Sequence, residues 1–319
     1  MTRRRALLLA LAAISPAAHA QAGKWPEKPV RVIVAYAPGG ATDIVARMVA
    51  VRLSTELGQQ FVVDNRGGGG GTIGTALAAN ANADGYTALI MGTGYAANVA
   101  LYKLPFDPIK GVTPIGIIAT APLILAMNPS VKAANLKEFI ELARARPGTL
   151  NHGSAGTGSF GHLCAELLKQ LTKTEMVHVA YKGDGPAIID LIAGQVQFVF
   201  ASGPALIPHF KSGKLRGLAV TTEQRAPALP DLPSINEVVP GYSVRTWFGV
   251  WMPAGTPKEV VSRLNQALGR ILKLPDMQER LRADGLEPAP STPAEFEREI
   301  VRDIEKWTKV VKAGNIRID

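Results

Sequence analysis

The chain contains 319 residues with a formal net charge of +9, 47% hydrophobic residues and a single cysteine, Cys164. One cysteine excludes an internal disulfide, and its distance from the N-terminus excludes a lipoprotein anchor. Lysine and arginine are scattered, whereas a nucleic-acid surface needs a basic stripe or aromatic platforms, so we expect no nucleic-acid partner. No later stretch supplies the about 20 apolar residues of a membrane span, which predicts a soluble protein.

The N-terminus has the pattern of an export signal. Residues 3–5 are arginines, residues 6–14 form a short apolar run, and residues 18–20 form a small-x-small cleavage site. The sequence therefore predicts a signal peptide over residues 1–20, cleaved after Ala20. The paired arginines leave both the general and the twin-arginine export routes open. Roughly 300 residues remain, which is enough for two domains.

Short runs of β-branched and apolar residues alternate with helical patterns along the chain. This alternation predicts an α/β protein built from βαβ units around parallel sheets. The predicted strands cover residues 30–36, 61–63, 87–91, 115–118, 123–127, 177–180, 198–200, 215–220 and 248–252.

Helix signals separate these strands. Apolar residues within 136–143 follow the i, i+3, i+4, i+7 spacing of a buried helix face. Thr256 with Glu259, and Thr292 with Glu295, have the spacing of a capping box, in which two side chains satisfy the first N–H groups of a helix. Two helices are therefore predicted near the C-terminus.

The chain is predicted to cross between two lobes twice. An apolar stretch interrupted at Pro122 is the first candidate crossing, and the segment 219–222 is the second. These positions predict that lobe one comprises residues 24–119 plus 222–319, and that lobe two comprises residues 120–221.

Three turns between a strand and a helix are rich in glycine, at residues 38–40, 67–74 and 153–159. Glycine lets the backbone approach a ligand, and the following helix offers unpaired N–H groups at the positive end of its dipole. Such a turn can bind an anion. Any one of them could also be simply a tight turn, but three together favour a ligand cleft.

The same glycines match the dinucleotide pattern G-x-G-x-x-G at residues 69–74 and 156–161. A dinucleotide site also needs an acidic residue at the end of the next strand. Asp84 precedes its strand and Asp184 lies too far along the chain. We therefore expect no dinucleotide and no other cofactor.

Catalytic and metal patterns are missing from the sequence. Neither Ser154 nor Ser159 lies in the G-x-S-x-G pattern of a hydrolase nucleophile. Cys164 falls at a core position of a helical pattern. The histidines do not have the spacing of metal ligands: His152, His162, His178 and His209. We therefore expect no metal and no catalytic residue.

Several segments together resemble one family. They include Ala-Pro-Gly-Gly-Ala-Thr-Asp at 37–43, Asn-His-Gly-Ser-Ala-Gly-Thr-Gly-Ser at 151–159, Val-Ala-Tyr-Lys-Gly at 179–183 and Pro-Ala-Gly-Thr-Pro at 253–257. In these segments, and in their order along the whole mature chain, the sequence resembles the Bug family of periplasmic solute receptors of tripartite tricarboxylate transporters.

The resemblance implies a two-lobed type II periplasmic binding fold, a periplasmic location and no enzymatic activity. It implies that a small organic carboxylate binds between the first-strand loop of one lobe and the Gly-Ser-Ala-Gly loop of the other. The expected partner is the membrane permease of the transporter, and the expected state is a monomer. The predicted ligand-binding residues are Pro38, Gly39, Gly40, Thr42, Asp43, Ser154, Ala155, Gly156, Thr157, Gly158, Ser159, Tyr181 and Ser202.

The resemblance leaves the solute open. Many members carry an aspartate near Ala201-Ser202, and this chain does not. Asp43 is interpreted as support for the first turn of a helix, and Asp184 as part of a turn. A zwitterion would then bury its ammonium without a counter-charge, which is costly. We therefore expect a plain carboxylic acid to bind better than an amino acid.

Two alternative functions remain at this point. A ligand-sensing receptor would use the same closed form to signal to a membrane sensor protein. An exported hydrolase would need a dispersed catalytic site, for which the sequence offers no constellation.

Overall fold

The structure, a computed structural model, describes residues 25–313 and consists of two mixed β-sheets covered by helices. The α/β class predicted from the sequence is confirmed. The predicted signal peptide and its cleavage after Ala20 lie outside the described residues. None of the helices in the described part of the chain is both long and apolar enough to cross a membrane.

The strands within residues 25–313 are β1 (Val30–Val34), β2 (Phe61–Asn65), β3 (Thr87–Gly92), β4 (Val112–Ala121), β5 (Ile124–Met127), β6 (Asn151–Ser154), β7 (Val177–Ala180), β8 (Phe198–Ala201), β9 (Arg216–Val220), β10 (Thr246–Pro253) and β11 (Glu287–Pro288). The first sheet has the order β11-β4-β10-β3-β1-β2, and the second has the order β7-β6-β8-β5-β9. All nine predicted strands are found, and β6 and β11 are additional.

The helices are α1 (Ala41–Leu57), α2 (Thr72–Ala79), α3 (Gly94–Leu101), α4 (Leu136–Ala145), α5 (Phe160–Thr172), α6 (Asp184–Ile192), α7 (Gly203–Lys211), α8 (Lys258–Ile271), α9 (Pro275–Ala283) and α10 (Pro293–Ala313). The capping box predicted at Thr292 is confirmed, because Glu295 N donates to Thr292 Oγ1 (3.2 Å) and Thr292 N donates to Glu295 Oε2 (2.8 Å). The box predicted at Thr256 is wrong, since its hydroxyl donates to the carbonyl of Pro253 instead.

The prediction of parallel sheets is correct only for part of each sheet. β1 pairs in parallel with β2 and β3, and β6 pairs in parallel with β7 and β8. β10 runs antiparallel to β3 and β4, and β5 runs antiparallel to β8 and β9. One exception has a simple cause: β4 leads the chain out of the first sheet and β10 brings it back, so these two strands run in opposite directions.

The crossing between the sheets is short and held by hydrogen bonds. β4 ends at Ala121 and β5 begins at Ile124 in the other sheet. Beside this crossing, Thr221 accepts from Leu123 N through its hydroxyl (2.8 Å), donates to the Leu123 carbonyl (3.0 Å) and accepts from Val244 N (2.8 Å). These bonds join the outgoing and returning segments at the crossing between the lobes.

The returning segment, residues 222–245, packs against the second sheet, although the sequence prediction assigns it to lobe one. Ile235, Val239 and Tyr242 lie in one apolar cluster with Phe198 and Phe200 of β8. The Tyr242 hydroxyl also donates to the Cys164 carbonyl (2.9 Å). The chain therefore re-enters the first sheet only at β10.

The C-terminal helix contacts both lobes. α10 packs along α3 of the first lobe. Its Trp307, which is 1% exposed, meets Phe160 of α5 edge to face, with ring centroids 4.9 Å apart. α10 thus holds the two lobes together in a closed arrangement.

Candidate functional site

A small cavity of about 40 Å³ lies between the two lobes. The first lobe forms one wall, and the second lobe together with the crossing at Leu123 forms the other. The lining residues are Tyr36, Ala41, Thr42, Gly92, Thr93, Gly94, Thr246 and Phe248, and on the other side Leu123, Ala155, Ser159, Phe160, Gly161, Asp184, Phe200, Ala201 and Ser202.

Five helices begin at this cavity, because their first residue or their N-cap lines it: α1, α3, α5, α6 and α7. In none of these five does an N-cap side chain accept from the first N–H groups of its own helix, whereas Asn135 caps α4 by accepting from Glu138 N. The first N–H groups of a helix have no partner within it. Each positive helix end stabilises an anion by about 0.3 to 1 kcal/mol, and by up to about 2 kcal/mol when partly buried.

No lysine, arginine or histidine is among the residues that line the cavity. The hydroxyl oxygen of Ser159, at the N-cap of α5, is buried and has no hydrogen-bond partner among the described residues, and its side chain lines the cavity. Buried polar groups are nearly always paired in native proteins. The site therefore offers neutral donors and helix ends for an anion.

Four of the thirteen predicted ligand-binding residues line the cavity: Thr42, Ala155, Ser159 and Ser202. The others lie in the same loops but make different contacts.

Gly39 and Gly40 face the second lobe at the start of α6. A Cβ atom at Gly40 would lie 3.3 Å from the Cβ of Asp184, and one at Gly39 would lie 3.7 Å from the Cα of Gly185. In return, a Cβ at Gly185 would overlap the Pro38 carbonyl. These glycines let the backbones of the two lobes lie this close together.

The Gly-Ser-Ala-Gly loop meets the glycine run of the first lobe in the same way. A Cβ at Gly156 would lie 3.0 Å from Gly70 N, and one at Gly70 would overlap the carbonyl of Thr157. The Thr157 carbonyl also accepts from the Tyr102 hydroxyl (2.6 Å). A Cβ at Gly158 would lie 2.8 Å from the Tyr102 ring. This loop therefore docks on the first lobe.

Two of the hydroxyls predicted to bind the ligand make hydrogen bonds within the second lobe instead. Ser154 Oγ lies 2.7 Å from His178 Nε2 and accepts from Gly156 N (3.1 Å), which fixes the start of the loop. The Tyr181 hydroxyl donates to Asp190 Oδ2 (2.7 Å). Burial and this aspartate raise the pKa of Tyr181 to about 12.

Asp43 supports the first turn of α1, as the sequence interpretation states. Its carboxylate accepts from Gly39 N (3.0 Å) and from the Asn65 amide (2.9 Å), and it pairs with Arg47 (2.9 Å). Burial alone would raise the pKa of Asp43, but the hydrogen bonds from Arg47, Gly39 and Asn65 hold it below its ordinary value. The carboxylate therefore stays ionised, and its oxygens are bound to these neighbours in the first lobe.

The sequence interpretation of Asp184 as part of a turn is wrong, and the residue lies at the site. It is the first residue of α6, is half-buried and lines the cavity. No hydrogen bond or ion pair among the described residues reaches its carboxyl group. Burial raises the pKa of this carboxyl to about 7.

Sequence reasoning also missed part of the first-lobe wall. Thr93 lies in the third strand-to-helix turn of the first lobe, Gly92-Thr93-Gly94, between β3 and α3. Its hydroxyl accepts from Trp247 N (2.9 Å) and from the Thr246 hydroxyl (3.2 Å), which ties the turn to β10. The glycines on both sides of Thr93 were the signal that could have revealed this turn.

Three histidines stack behind the Gly-Ser-Ala-Gly loop, with ring centroids 4.0 Å apart for His162 and His178 and 4.8 Å for His152 and His178. His162 Nδ1 accepts from Gly158 N (3.2 Å). Burial, with a smaller effect of Lys169, lowers the pKa of His162 to about 4. Within residues 25–313, no group of histidine, cysteine or acidic side chains is placed to hold a metal ion.

Comparisons with known proteins agree on one family. The family model described as tripartite tricarboxylate transporter family receptor, TctC, matches residues 45–316. Protein BugT of Bordetella pertussis (strain Tohama I) is 35% identical over 323 aligned residues, which cover 100% of this chain and 99% of BugT.

Solved structures give the same result. The structure of the periplasmic binding protein BugD matches with a TM-score of 0.89 and 34% identity, over 92% of this chain and 99% of BugD. The structure of R. palustris Rpa4515 with adipate matches with a TM-score of 0.89 and 39% identity, over 92% of this chain and 99% of Rpa4515. The two-lobed fold predicted from the sequence is therefore confirmed.

Proposed function

The chain belongs to the tripartite tricarboxylate transporter receptor family, and we propose that it captures a small organic carboxylate between its lobes in the periplasm and delivers it to the transporter's permease. The family match makes it a solute-binding receptor of the TctC and Bug type. The description of BugD as a periplasmic binding protein supports the location. The adipate in Rpa4515 supports the ligand class.

One observation carries this function: five helix N-termini without side-chain caps converge on a cavity that no basic side chain lines. Hydrogen bonds to a charged acceptor are roughly twice as strong as neutral ones. N–H groups from both lobes would therefore hold a carboxylate without an arginine, and the ligand would itself join the lobes. The buried hydroxyl of Ser159 would supply a further donor.

The size of the cavity requires the lobes to move. A volume of about 40 Å³ is far below the roughly 300 Å³ of a common small-molecule site. Solute would enter an open form, and the lobes would then close on it about the crossing at Thr221, less far than in this structure, which would exclude water and strengthen the hydrogen bonds. Only the liganded closed form would then present both lobes to the permease in one orientation.

A thermal-shift and calorimetry panel on the mature protein tests solute capture. The panel contains linear dicarboxylates of four to eight carbons, including adipate, together with glutamate, glucose and NAD. A true ligand at 100 times its Kd stabilises the protein by about 2.7 kcal/mol, which raises Tm by several degrees. Shifts from glucose or NAD with none from any carboxylate would contradict the function.

Delivery to the permease needs a cellular test. Deletion of the gene for this chain should abolish uptake of the radiolabelled dicarboxylate that binds most tightly, and the wild-type chain should restore it. Unchanged uptake in the deletion strain, with the purified protein still binding the solute, would contradict delivery but not capture.

A further inference from the structure

Asp184 presents an electrostatic problem for a carboxylate receptor. It is the only acidic or basic side chain among the residues that line the interlobe cavity. Its carboxyl has no hydrogen-bond or ion-pair partner in the described part of the chain. An ionised Asp184 would repel a carboxylate that binds beside it.

The neighbouring titratable groups of the first lobe do not neutralise this charge. The phenol of Tyr36 interacts with Asp184, and burial, with a smaller effect of Asp184, raises the phenol's pKa, so Tyr36 stays neutral. Asp43 of α1, the helix that faces α6, is already bound to Arg47 and Asn65. α3 and β10 contribute no charged side chain to the cavity wall.

The second lobe offers no counter-charge either. Lys182, two residues before Asp184, has an exposed side chain and does not line the cavity. Tyr181 and Asp190 hydrogen-bond to each other (2.7 Å). α5 and α7 contribute only uncharged residues to the wall.

Two carboxylates that share a site without a cation repel each other, and a common result is that they share one proton. The pKa of Asp184, already raised by burial to about 7, indicates that adding this proton is easy near neutral pH. A protonated carboxyl is a hydrogen-bond donor, so the same residue changes from a repelling group into a binding group.

We propose that Asp184 binds the solute's carboxylate in its neutral, protonated form, so that the receptor takes up one proton from solution with each carboxylate it captures. This inference rests on the proposed function and adds that a proton on Asp184 takes part in binding the solute. Asp184 thereby selects plain carboxylic acids and makes capture stronger at lower pH.

The alternative is that Asp184 stays ionised and pairs with an ammonium group of the solute. The cavity disfavours this arrangement, because five helix N-termini direct their positive ends at it. Those helix ends stabilise a carboxylate and destabilise an ammonium.

The test uses calorimetry with the most tightly bound plain dicarboxylate of the panel, adipate being the first probe. Titrations at pH 7.5 and 8.5, each in two buffers of different ionisation enthalpy, give the affinity and the number of protons taken up. The wild type should take up roughly one proton at pH 8.5 and bind close to tenfold more weakly there than at pH 7.5. The variants are Asp184→Asn and, as a matched control on an exposed aspartate outside the cavity, Asp231→Asn.

Asp184→Asn keeps the size and a donor but has no proton to gain. It should bind the dicarboxylate with less than twofold change between the two pH values and with no proton uptake, whereas Asp231→Asn should behave as the wild type does. Binding without proton uptake by the wild type, or loss of binding in Asp184→Asn together with a preference for amino acids, would overturn the inference and leave the receptor function intact. If no carboxylate binds at any pH, the proposed function itself fails.

Discussion

The backbone N–H of Ala37 donates a 2.9 Å hydrogen bond to the carbonyl oxygen of Lys182. Ala37 follows β1 of the first sheet and Lys182 follows β7 of the second, so this single bond joins the two lobes beside the cavity. The bond can form at this distance because residue 183 is a glycine: a Cβ there would lie 2.7 Å from Ala37 N. At this point the two lobes therefore meet through their backbones.

Gly40→Val should weaken dicarboxylate binding at least tenfold, or about 1.4 kcal/mol, while the protein stays folded. Gly40 has φ −83°, so the new side chain is not strained within its own lobe, but its Cβ would lie 3.3 Å from that of Asp184. Calorimetry measures the affinity and small-angle scattering measures closure. Gly269→Ala in α8 is the control, because no atom beyond its own stretch of helix lies within 4 Å of its added Cβ. Unchanged affinity in Gly40→Val would show that the lobes need not meet here.

Ser159→Ala should lower affinity for the dicarboxylate by roughly tenfold or more, because a hydrogen bond to a charged group contributes about 1.5 to 3 kcal/mol. The Tm of the unliganded protein should not fall, since the Ser159 hydroxyl has no partner to lose among the described residues. Calorimetry and a melting curve check both parts. Ser212→Ala, at an exposed serine after α7, is the matched control. A variant that melts lower but binds normally would assign this hydroxyl to folding alone.

His162 should make the protein less stable as pH falls below about 6.5. Its pKa is lowered by burial from 6.5 to about 4, so between these values the unfolded chain binds a proton that the folded protein excludes. Stability is therefore complete above pH 6.5 and is lost progressively toward pH 4, by at most about 3 kcal/mol. Asp184 acts in the opposite sense, because its raised pKa favours the folded state at low pH.

His162→Asn separates these effects, because its amide oxygen can still accept from Gly158 N and does not titrate. Urea unfolding at pH 5 and pH 7.5 should show a smaller loss of stability on acidification for the variant than for the wild type. An equal loss in both proteins would remove His162 as the acid-sensitive group.

Cys164 should be inert in the folded protein. Burial raises the pKa of its thiol to about 12, so almost none is the reactive thiolate at pH 8. Iodoacetamide should leave the native protein unmodified and alkylate it in denaturant, as mass spectrometry can measure. Cys164→Ala should bind the dicarboxylate within twofold of the wild type. Loss of binding in a folded Cys164→Ala protein would show that the thiol takes part in ligand binding.

The elements that the sequence predicted best are those whose own residues determine them. β-branched and apolar runs gave β1, β3, β5 and β10 within a few residues. β6, Asn151–Ser154, was missed because Asn-His-Gly-Ser has no β-branched or apolar side chain and forms a strand only between β7 and β8. Its strand conformation comes from its neighbours in the sheet.

The site could be predicted only to the level of its loops. Glycine admits any close approach, so the glycines at 39–40 and 156 could not reveal whether a ligand or the opposite lobe comes near. Asp184 illustrates the same limit, since its place in the cavity depends on how α6 faces α1 across the closed lobes. Such placement is a property of the tertiary structure, and no local pattern encodes it.

A crystal structure of the mature protein with its most tightly bound dicarboxylate would show where the solute binds. One carboxylate should lie in the interlobe cavity, with its oxygens about 2.7 to 3.1 Å from N–H groups in the first turns of α1 and α5 and from the Ser159 hydroxyl. A dicarboxylate bound instead at the separate surface pocket formed by Arg245, Arg302 and Lys306, with the interlobe cavity unchanged, would contradict this placement.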